Sequence, residues 1–324
     1  MTNTDGTDSG GGGGTSADKP DRDQSGRRCG FIAVVGAPNA GKSTLVNALV
    51  GAKVTIVSHK VQTTRAPVRG IVAHGDSQLV FLDTPGIFQP KRLLDKAMVE
   101  AAWGGAGDAD IVALIIDAQK GLTDDVVRIV DKLDGAPGRQ KILLINKIDR
   151  LADKASLLEL VAKVTERATF DEVFMISALN SDGLDALRDY LAKAVPEGAW
   201  HYPEDEMSDL PIRMLAAEIT REKIYHRLHD ELPYAITVET SDWKVLRNKS
   251  VRVEQTIYVE RDSQKAIVLG KGGQTIKQIS SDARADISEI IEQPVHLFLF
   301  VKVRQGWGGD PERYREMGLA FPKS

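Results

Sequence analysis

Eight consecutive residues near the start of the chain have the types and spacing to hold a polyphosphate: Gly36-Ala37-Pro38-Asn39-Ala40-Gly41-Lys42-Ser43, followed by Thr44. They fit the pattern G-x4-G-K-[ST]. The glycines let successive backbone N–H groups point at phosphate oxygens, and a helix starting beneath them adds a partial positive charge. Lys42 is placed to reach the outer phosphates, and Ser43 to offer a hydroxyl to Mg2+.

Three further segments complete a nucleotide site. In Asn146-Lys147-Ile148-Asp149 the Asp149 carboxylate can accept N–H bonds from guanine N1 and N2, a pair of donors that adenine lacks. The Lys147 stem can cover the ring, Asn146 can hold neighbouring loops, and Ser177-Ala178-Leu179 can offer a backbone N–H to the guanine oxygen. This base selector argues against a P-loop kinase. In Asp83-Thr84-Pro85-Gly86, with Ile87 next, Asp83 suits an outer carboxylate of the Mg2+ site, and the Gly86 N–H can bond a γ-phosphate. In Gln62-Thr63-Thr64-Arg65, Thr64 is the candidate for a second hydroxyl on Mg2+, with Thr63 as the alternative. A bond made only to a third phosphate creates two states, which is a switch.

These segments need strand ends to hold them. Short apolar runs at Phe31–Val35, Leu79–Leu82, Ile111–Ile116, Lys141–Ile145 and Glu172–Ile176 read as strands buried on both faces. Helical stretches lie between them at Ser43–Val50, Thr123–Leu133, Ala155–Thr165 and Leu184–Ala194. The alternation predicts an α/β domain around a mostly parallel sheet over residues 29–195. Residues 1–28, with five glycines at Gly10–Gly14, cannot bury enough surface to offset ordering entropy and read as a disordered tail. They lack the apolar segment of a secretory signal.

Over about residues 30–195 the chain resembles the translation-factor-related GTPases, because the motifs fall in order on the right strand ends. Two features stand out against that background. Ile87 stands where Ras-like proteins carry a glutamine that orients the attacking water. Asn39 resembles an asparagine that helps some bacterial members hold potassium, which would implicate K+ beside GTP/GDP and Mg2+. The resemblance gives catalytic parts to Lys42, Thr64, Asp83, Gly86 and Asn39.

The alternation ends near Ala194. Residues 196–210 carry the Pro, Gly and acid of a linker, which must let two domains move. Residues 211–324 follow a different order: a helix at Arg213–Asp230, extended stretches at Tyr234–Val245 and Val251–Val259, a short helix into Gly270, helices from Gln274 and from Arg284, and a last strand at His296–Lys302. Gly270-Lys271-Gly272-Gly273 between helices is the loop of a KH module, here of the prokaryotic type II, α+β. Its glycines allow close approach of a sugar-phosphate backbone, Lys271 and Lys277 can pair with phosphates, and Ile267, Val268, Ile276 and Ile279 can floor an apolar groove. Residues 242–304 hold 11 Lys/Arg against 8 Asp/Glu, a net charge of +3. Trp243, Trp307 and Phe298 read as packing residues rather than base-stacking platforms.

A GTPase domain followed by a KH domain resembles the Era family, bacterial small-subunit assembly GTPases. The likeness extends through Lys60–Arg65, Ala217–Lys223, Glu231–Tyr234, Pro294–Leu297 and Val301–Trp307. It implies a monomer that binds 16S rRNA near its 3′ end and the 30S subunit. It also implies a cytoplasmic protein with peripheral association at the inner face of the cell membrane. The competing reading is a constitutive RNA-binding protein in which GTP is structural.

Composition sets outer bounds. The 324 residues predict two domains, and a net charge of −4 excludes a globally basic nucleic-acid binder. One cysteine excludes an internal disulfide framework and a Cys-cluster metal site. The longest interior apolar run, Ile111–Ile116, is far short of the roughly 18 residues a membrane helix needs.

Overall fold

The computed structural model describes residues 26–60, 62–135, 138–153, 155–228, 236–306 and 309–322. The expected tail up to residue 25, Glu231–Tyr234 and Trp307 lie outside the described residues.

The first half is a six-stranded sheet in the order β2-β3-β1-β4-β5-β6. β1 is Arg28–Val35, β3 Ser77–Asp83, β4 Ile111–Asp117, β5 Gln140–Asn146 and β6 Glu172–Ile176; all pair in parallel. β2 (Val68–His74) runs antiparallel to β3 at one edge. β3 and β4 are buried at every position, as apolar runs between two helical layers should be. One core, around Leu45, Phe81 and Ile115, fills the side of α1 (Lys42–Val50) and α5 (Leu184–Ala194); the other, around Ala102, Ile129 and Leu160, fills the side of α2 (Leu93–Asp108), α3 (Asp124–Asp134) and α4 (Ala155–Thr165). The α3 start is set by Thr123, whose hydroxyl accepts the Val126 N–H, and by Asp124 and Asp125 in the first turn.

The second half is α6 (Ile212–Arg227), β7 (Thr237–Val245), β8 (Val251–Val259), α7 (Asp262–Leu269), α8 (Gln274–Ile290) and β9 (Val295–Val303). Its sheet order is β7-β8-β9, antiparallel then parallel. The expected separate helix from Arg284 does not exist. Ile279, Ala283 and Ile287 recur every four residues on one buried stripe, so α8 runs unbroken through that point. A terminal helix α9 (Pro311–Glu316) turns back on the first domain, where Tyr314 and Leu319 pack on Ala97 and Met98 of α2.

The segment 196–210 is not a free tether. The buried Gln78 side chain accepts N–H bonds from His201 and Tyr202 and donates to the Tyr202 carbonyl. The Cys29 N–H bonds Pro196 and the Ile71 N–H bonds Met207. The segment thus runs bonded across β1, β3 and β2.

Candidate functional site

β3 ends at Asp83, which is fully buried. Three hydroxyls from three separate segments converge on its Oδ2: Ser43 at 2.8 Å, Thr55 at 2.8 Å and Thr64 at 3.2 Å. Ser43 and Thr64 are themselves 2.9 Å apart. Burial pushes the Asp83 carboxyl up, while the three hydroxyl bonds and Lys42 pull it back. Oδ1 is buried with no hydrogen-bond partner among the described residues. Hydroxyls backed by a buried carboxylate are an oxygen donor set of the kind Mg2+ prefers, so the residues fit that ion. Thr64 rather than Thr63 belongs to this cluster; the Thr63 hydroxyl donates to the Lys60 carbonyl instead. Thr55 escaped sequence reasoning because a lone threonine outside any motif carries no signal.

The phosphate loop joins β1 to α1. Gly41 has φ 105°, and a Cβ there would lie 2.3 Å from Asn146 Nδ2; at Gly36 it would meet the Ile115 carbonyl at 2.5 Å. Lys42 Nζ donates to the Gly36 and Ala37 carbonyls at 3.1 and 3.0 Å. Desolvation lowers its pKa to about 8. Gly86 faces Pro38, with no room for a side chain without displacing that backbone. The Thr84 hydroxyl donates to the Val34 carbonyl, and Ile87 packs in the core while its N–H donates to Gly36. Thr84 and Ile87 therefore shape the loop with side chains turned away from the nucleotide, and Pro85 is buried between them.

At the base end, Asn146 Nδ2 donates to the Ala40 carbonyl at 2.8 Å and Oδ1 accepts the Ala178 N–H at 3.0 Å. This is the loop-holding part expected of Asn146, and it uses the Ala178 N–H that was a candidate for the guanine oxygen. Asp149 accepts from the Ser177 hydroxyl at 2.6 Å, which fixes its carboxylate. Lys147 Nζ donates to Asn39 O at 2.6 Å and to Asp117 Oδ2 at 2.7 Å. Asp117 was missed; its signal was a carboxylate ending an otherwise apolar strand, in register with Asn146. Asn39 Nδ2 lies 2.8 Å from the His59 carbonyl. A cavity of about 740 Å3 connects these groups and includes Lys42, Ser43, Thr44, Asp149 and Leu179.

Helix α6 grips the segment that carries Thr64. Arg221, 1 % exposed, donates to the Thr63 carbonyl at 2.6 Å. Glu222 accepts the Val57 N–H at 2.9 Å, and Lys60 donates to the Leu228 carbonyl.

In the second domain Gly270 adopts φ 72°, ψ 174°, and a Cβ there would fall 2.1 Å from Thr275 Oγ1. Gly272 and Gly273 also have positive φ. Lys271 and Lys277 are exposed and Ile276 half-buried. Val268 and Ile279 do not floor a surface groove: both are wholly inside the core, because they face α6 and the sheet, and only Ile267 and Ile276 reach solvent on that flank. Phe298 lies outside the core: it is 44 % exposed and packs at the surface under the Arg252 guanidinium. Trp243 does pack, against the Leu215–Val253 cluster.

Among the described residues no helix is long and apolar enough to cross a membrane. A protein-family model described as a 50S ribosome-binding GTPase matches residues 31–147, and one described as a KH domain matches residues 231–308. The chain is 64 % identical over 296 residues to GTPase Era of Afipia carboxidovorans, covering 91 % of this chain and 96 % of that one. It is 61 % identical to GTPase Era of Rhizobium meliloti, covering 91 % and 94 %. Among solved structures it is similar to Era in complex with MgGDPNP and nucleotides 1506–1542 of 16S ribosomal RNA, with TM-score 0.86, 38 % identity, and 91 % and 99 % of the two chains covered. An Aquifex aeolicus Era variant bound to GDP·AlF4− gives the same TM-score and identity over 90 % and 99 %. With the buried Asp83 cluster, the fixed Asp149 carboxylate and the KH loop in place, these likenesses identify the chain as a member of the Era family of GTPases.

Proposed function

We propose that this protein is a GTP-hydrolysing switch that binds single-stranded 16S rRNA near its 3′ end through its KH domain and assists 30S subunit assembly. The observation that carries the reading is the adjacency of Thr63 and Thr64. Thr64 belongs to the hydroxyl cluster on Asp83, while the Thr63 carbonyl is held by Arg221 of the KH domain's first helix. A group that senses the third phosphate is thus one peptide bond from a group that positions the RNA-binding domain.

The residues divide the work. The phosphate loop and Lys42 bind the β- and γ-phosphates, Asp149 and Lys147 select and cover guanine, and Gly86 presents its N–H to the γ-phosphate. Ser43 and Thr64 would hold Mg2+ with Asp83 behind them; bound there, the ion neutralises charge on the phosphate oxygens. Ile87 offers no polar side chain to the attacking water. We assign a share of charge stabilisation to K+, near the Asn39 amide and the His59 carbonyl, two groups that already touch at 2.8 Å. Hydrolysis rates equal in potassium and sodium would remove that assignment.

The domain boundaries proposed are 29–195 for the GTPase unit, 196–210 for the connection and 211–324 for the KH unit, with residues 1–28 as a tail. The family likeness supports a cytoplasmic monomer with peripheral contact at the inner face of the membrane. The test is affinity for a short single-stranded RNA from the 3′ end of 16S rRNA, compared at fixed salt between a non-hydrolysable GTP analogue and GDP. A tenfold preference for the analogue state, about 1.4 kcal/mol of coupling, is the expected result. Equal binding would make this a constitutive RNA-binding protein in which GTP is structural.

A further inference from the structure

The outer face of the KH sheet carries two large aromatic rings in water. Phe298 and Phe300 on β9 are 44 % and 47 % exposed. They are two residues apart on one strand, so their rings leave the same face about 7 Å apart. The alternate residues Leu297, Leu299 and Val301 point the other way and pack into the domain core. Burying the inward set does not require aromatic residues on the outward set. An exposed Phe has an unfavourable solvation cost that a lysine or threonine there would avoid.

The surroundings of the pair mix both signs with a small cationic excess, Arg252, Lys244 and Lys302 against Glu254 and Asp242. The Arg252 guanidinium sits over the Phe298 ring, 4.8 Å from its centre. His296 and Lys302 stand at the two ends of the same row, opposite Arg252 and Tyr258 on β8. Glu254, opposite Phe298, and Asp242 on the next strand are each held by a cation, Arg252 and Lys244. Flat rings flanked by guanidinium and ammonium groups, on a strand that displays alternate side chains, match the chemistry of unstacked nucleobases on a charged backbone. A protein partner's apolar side chain would gain nothing from the cations.

The position of β9 connects this face to the KH loop. β9 is the outer strand of its sheet, and its inner side packs on α7 and α8, the helices that the Gly270–Gly273 loop joins. A strand of RNA leaving that loop needs only to pass the edge of β9 to reach the outer face. We propose that Phe298 and Phe300 form a second base-stacking platform, which engages single-stranded RNA flanking the segment held by the KH loop. The inference rests on the KH domain binding RNA as proposed above.

The experiment uses the full-length protein with a GTP analogue at fixed salt. Two RNAs are compared: a short one from the 3′ end of 16S rRNA, and the same RNA extended by several nucleotides on each side. Wild type should bind the extended RNA at least about tenfold more tightly, as expected for two stacked bases. The double variant Phe298→Ala, Phe300→Ala should lose that gain and keep its affinity for the short RNA, which also shows that the domain is folded. Phe298→Tyr with Phe300→Tyr, which keeps the rings, should retain the gain. Extended-RNA affinity unchanged by the alanine pair would overturn the proposal. So would a variant that keeps both RNA affinities yet no longer co-sediments with 30S subunits, which would mark a protein-docking face. Failure of wild type to bind the short RNA would instead overturn the RNA-binding reading itself, and this inference with it.

Discussion

Lys53, from the loop after α1, and Glu222, from α6, form an ion pair at 2.6 Å across the two domains, with Glu222 nearly dry. Lys53 also reaches Asp286 of α8 at 3.0 Å, and Lys223 bonds the same carboxylate. Burial pushes the Asp286 carboxyl up, but hydrogen bonds from Lys223 and Lys53 outweigh it and hold it below the usual range. A carboxyl with a depressed folded-state pKa adds stability above its unfolded value and loses it as pH falls through the folded one. Wild-type stability should therefore fall on the acid side of pH 4, and this contribution should be absent in Asp286→Asn. Lys53→Met should cost about 1–2 kcal/mol, less than for a fully buried pair because Lys53 is partly hydrated. Chemical denaturation from pH 3 to pH 7 measures both effects.

Arg221 is the second tie, and the one adjacent to the switch residue. Its Nε and NH2 groups are held by Glu218, which aims the guanidinium at Thr63. Arg221→Met keeps the volume and removes the donor. GTP affinity should change less than threefold, because Arg221 reaches the site only through the Thr63 backbone carbonyl and no phosphate- or base-binding group, but the RNA preference for the GTP-analogue state should shrink from about tenfold toward none. Titrating RNA into each nucleotide state reads the coupling directly. A variant with full coupling would show that the signal leaves the GTPase domain elsewhere, for instance where α9 meets α2.

Lys42 carries a pH dependence whose sign is fixed. Burial lowers its pKa to about 8, against 10.5 when unfolded. Between those values the unfolded chain holds more protons, so the nucleotide-free protein gains stability as pH rises from 8. Binding phosphates restores the charged form. Nucleotide binding above pH 8 should therefore take up a proton and weaken by up to tenfold per pH unit. Calorimetry in buffers of different ionisation enthalpy counts that proton, and Lys42→Ala, which should abolish binding, supplies the baseline.

Asp149 should decide the base. Its carboxylate accepts, and Ser177 already fixes one oxygen. Asp149→Asn replaces one acceptor with a donor. Guanine then loses a partner, while xanthine, which carries a carbonyl in place of the amino group, gains one. Preference should shift from GTP toward XTP by roughly 10³-fold or more, in line with discrimination by hydrogen bonding to the base. Competition binding of the two nucleotides measures the ratio.

Much of this was legible from the residues themselves. The five parallel strands and α1, α3, α4 and α5 follow from apolar runs and periodicity, and the nucleotide motifs sit where those strands end. β2 and α2 were not legible for specific reasons. β2 is an edge strand of mixed burial, and α2 ends in Trp103-Gly104-Gly105-Ala106-Gly107, a sequence whose glycines argue against a helix that packing against β1 nevertheless imposes. The contacts of α6 with the switch, and Thr55 on Asp83, join residues far apart in sequence, so no local pattern announces them. Segment 196–210 read as a linker from its Pro and Gly content, whereas the Gln78 that anchors it is a buried polar residue near the start of β3 that no motif marks.

Gly270 offers the sharpest test of the KH loop because its backbone and its neighbour both exclude a side chain. Its φ of 72° with ψ 174° is nearly closed to L-residues, and an added Cβ would overlap the Thr275 hydroxyl. Gly270→Ala must therefore move either the loop or the first turn of α8, at a cost of about 2–3 kcal/mol. Gly272, where a Cβ meets nothing within 4 Å, tolerates alanine with only the strain of its positive φ. RNA affinity should fall at least tenfold for Gly270→Ala and much less for Gly272→Ala. Lys271→Glu, by contrast, should weaken RNA binding through charge alone and with a reduced salt slope, leaving the melting temperature and intrinsic GTP hydrolysis unchanged. Loss of hydrolysis in Lys271→Glu would mean that the second domain contributes to the chemistry of the first, and the division of labour between the two would have to be redrawn.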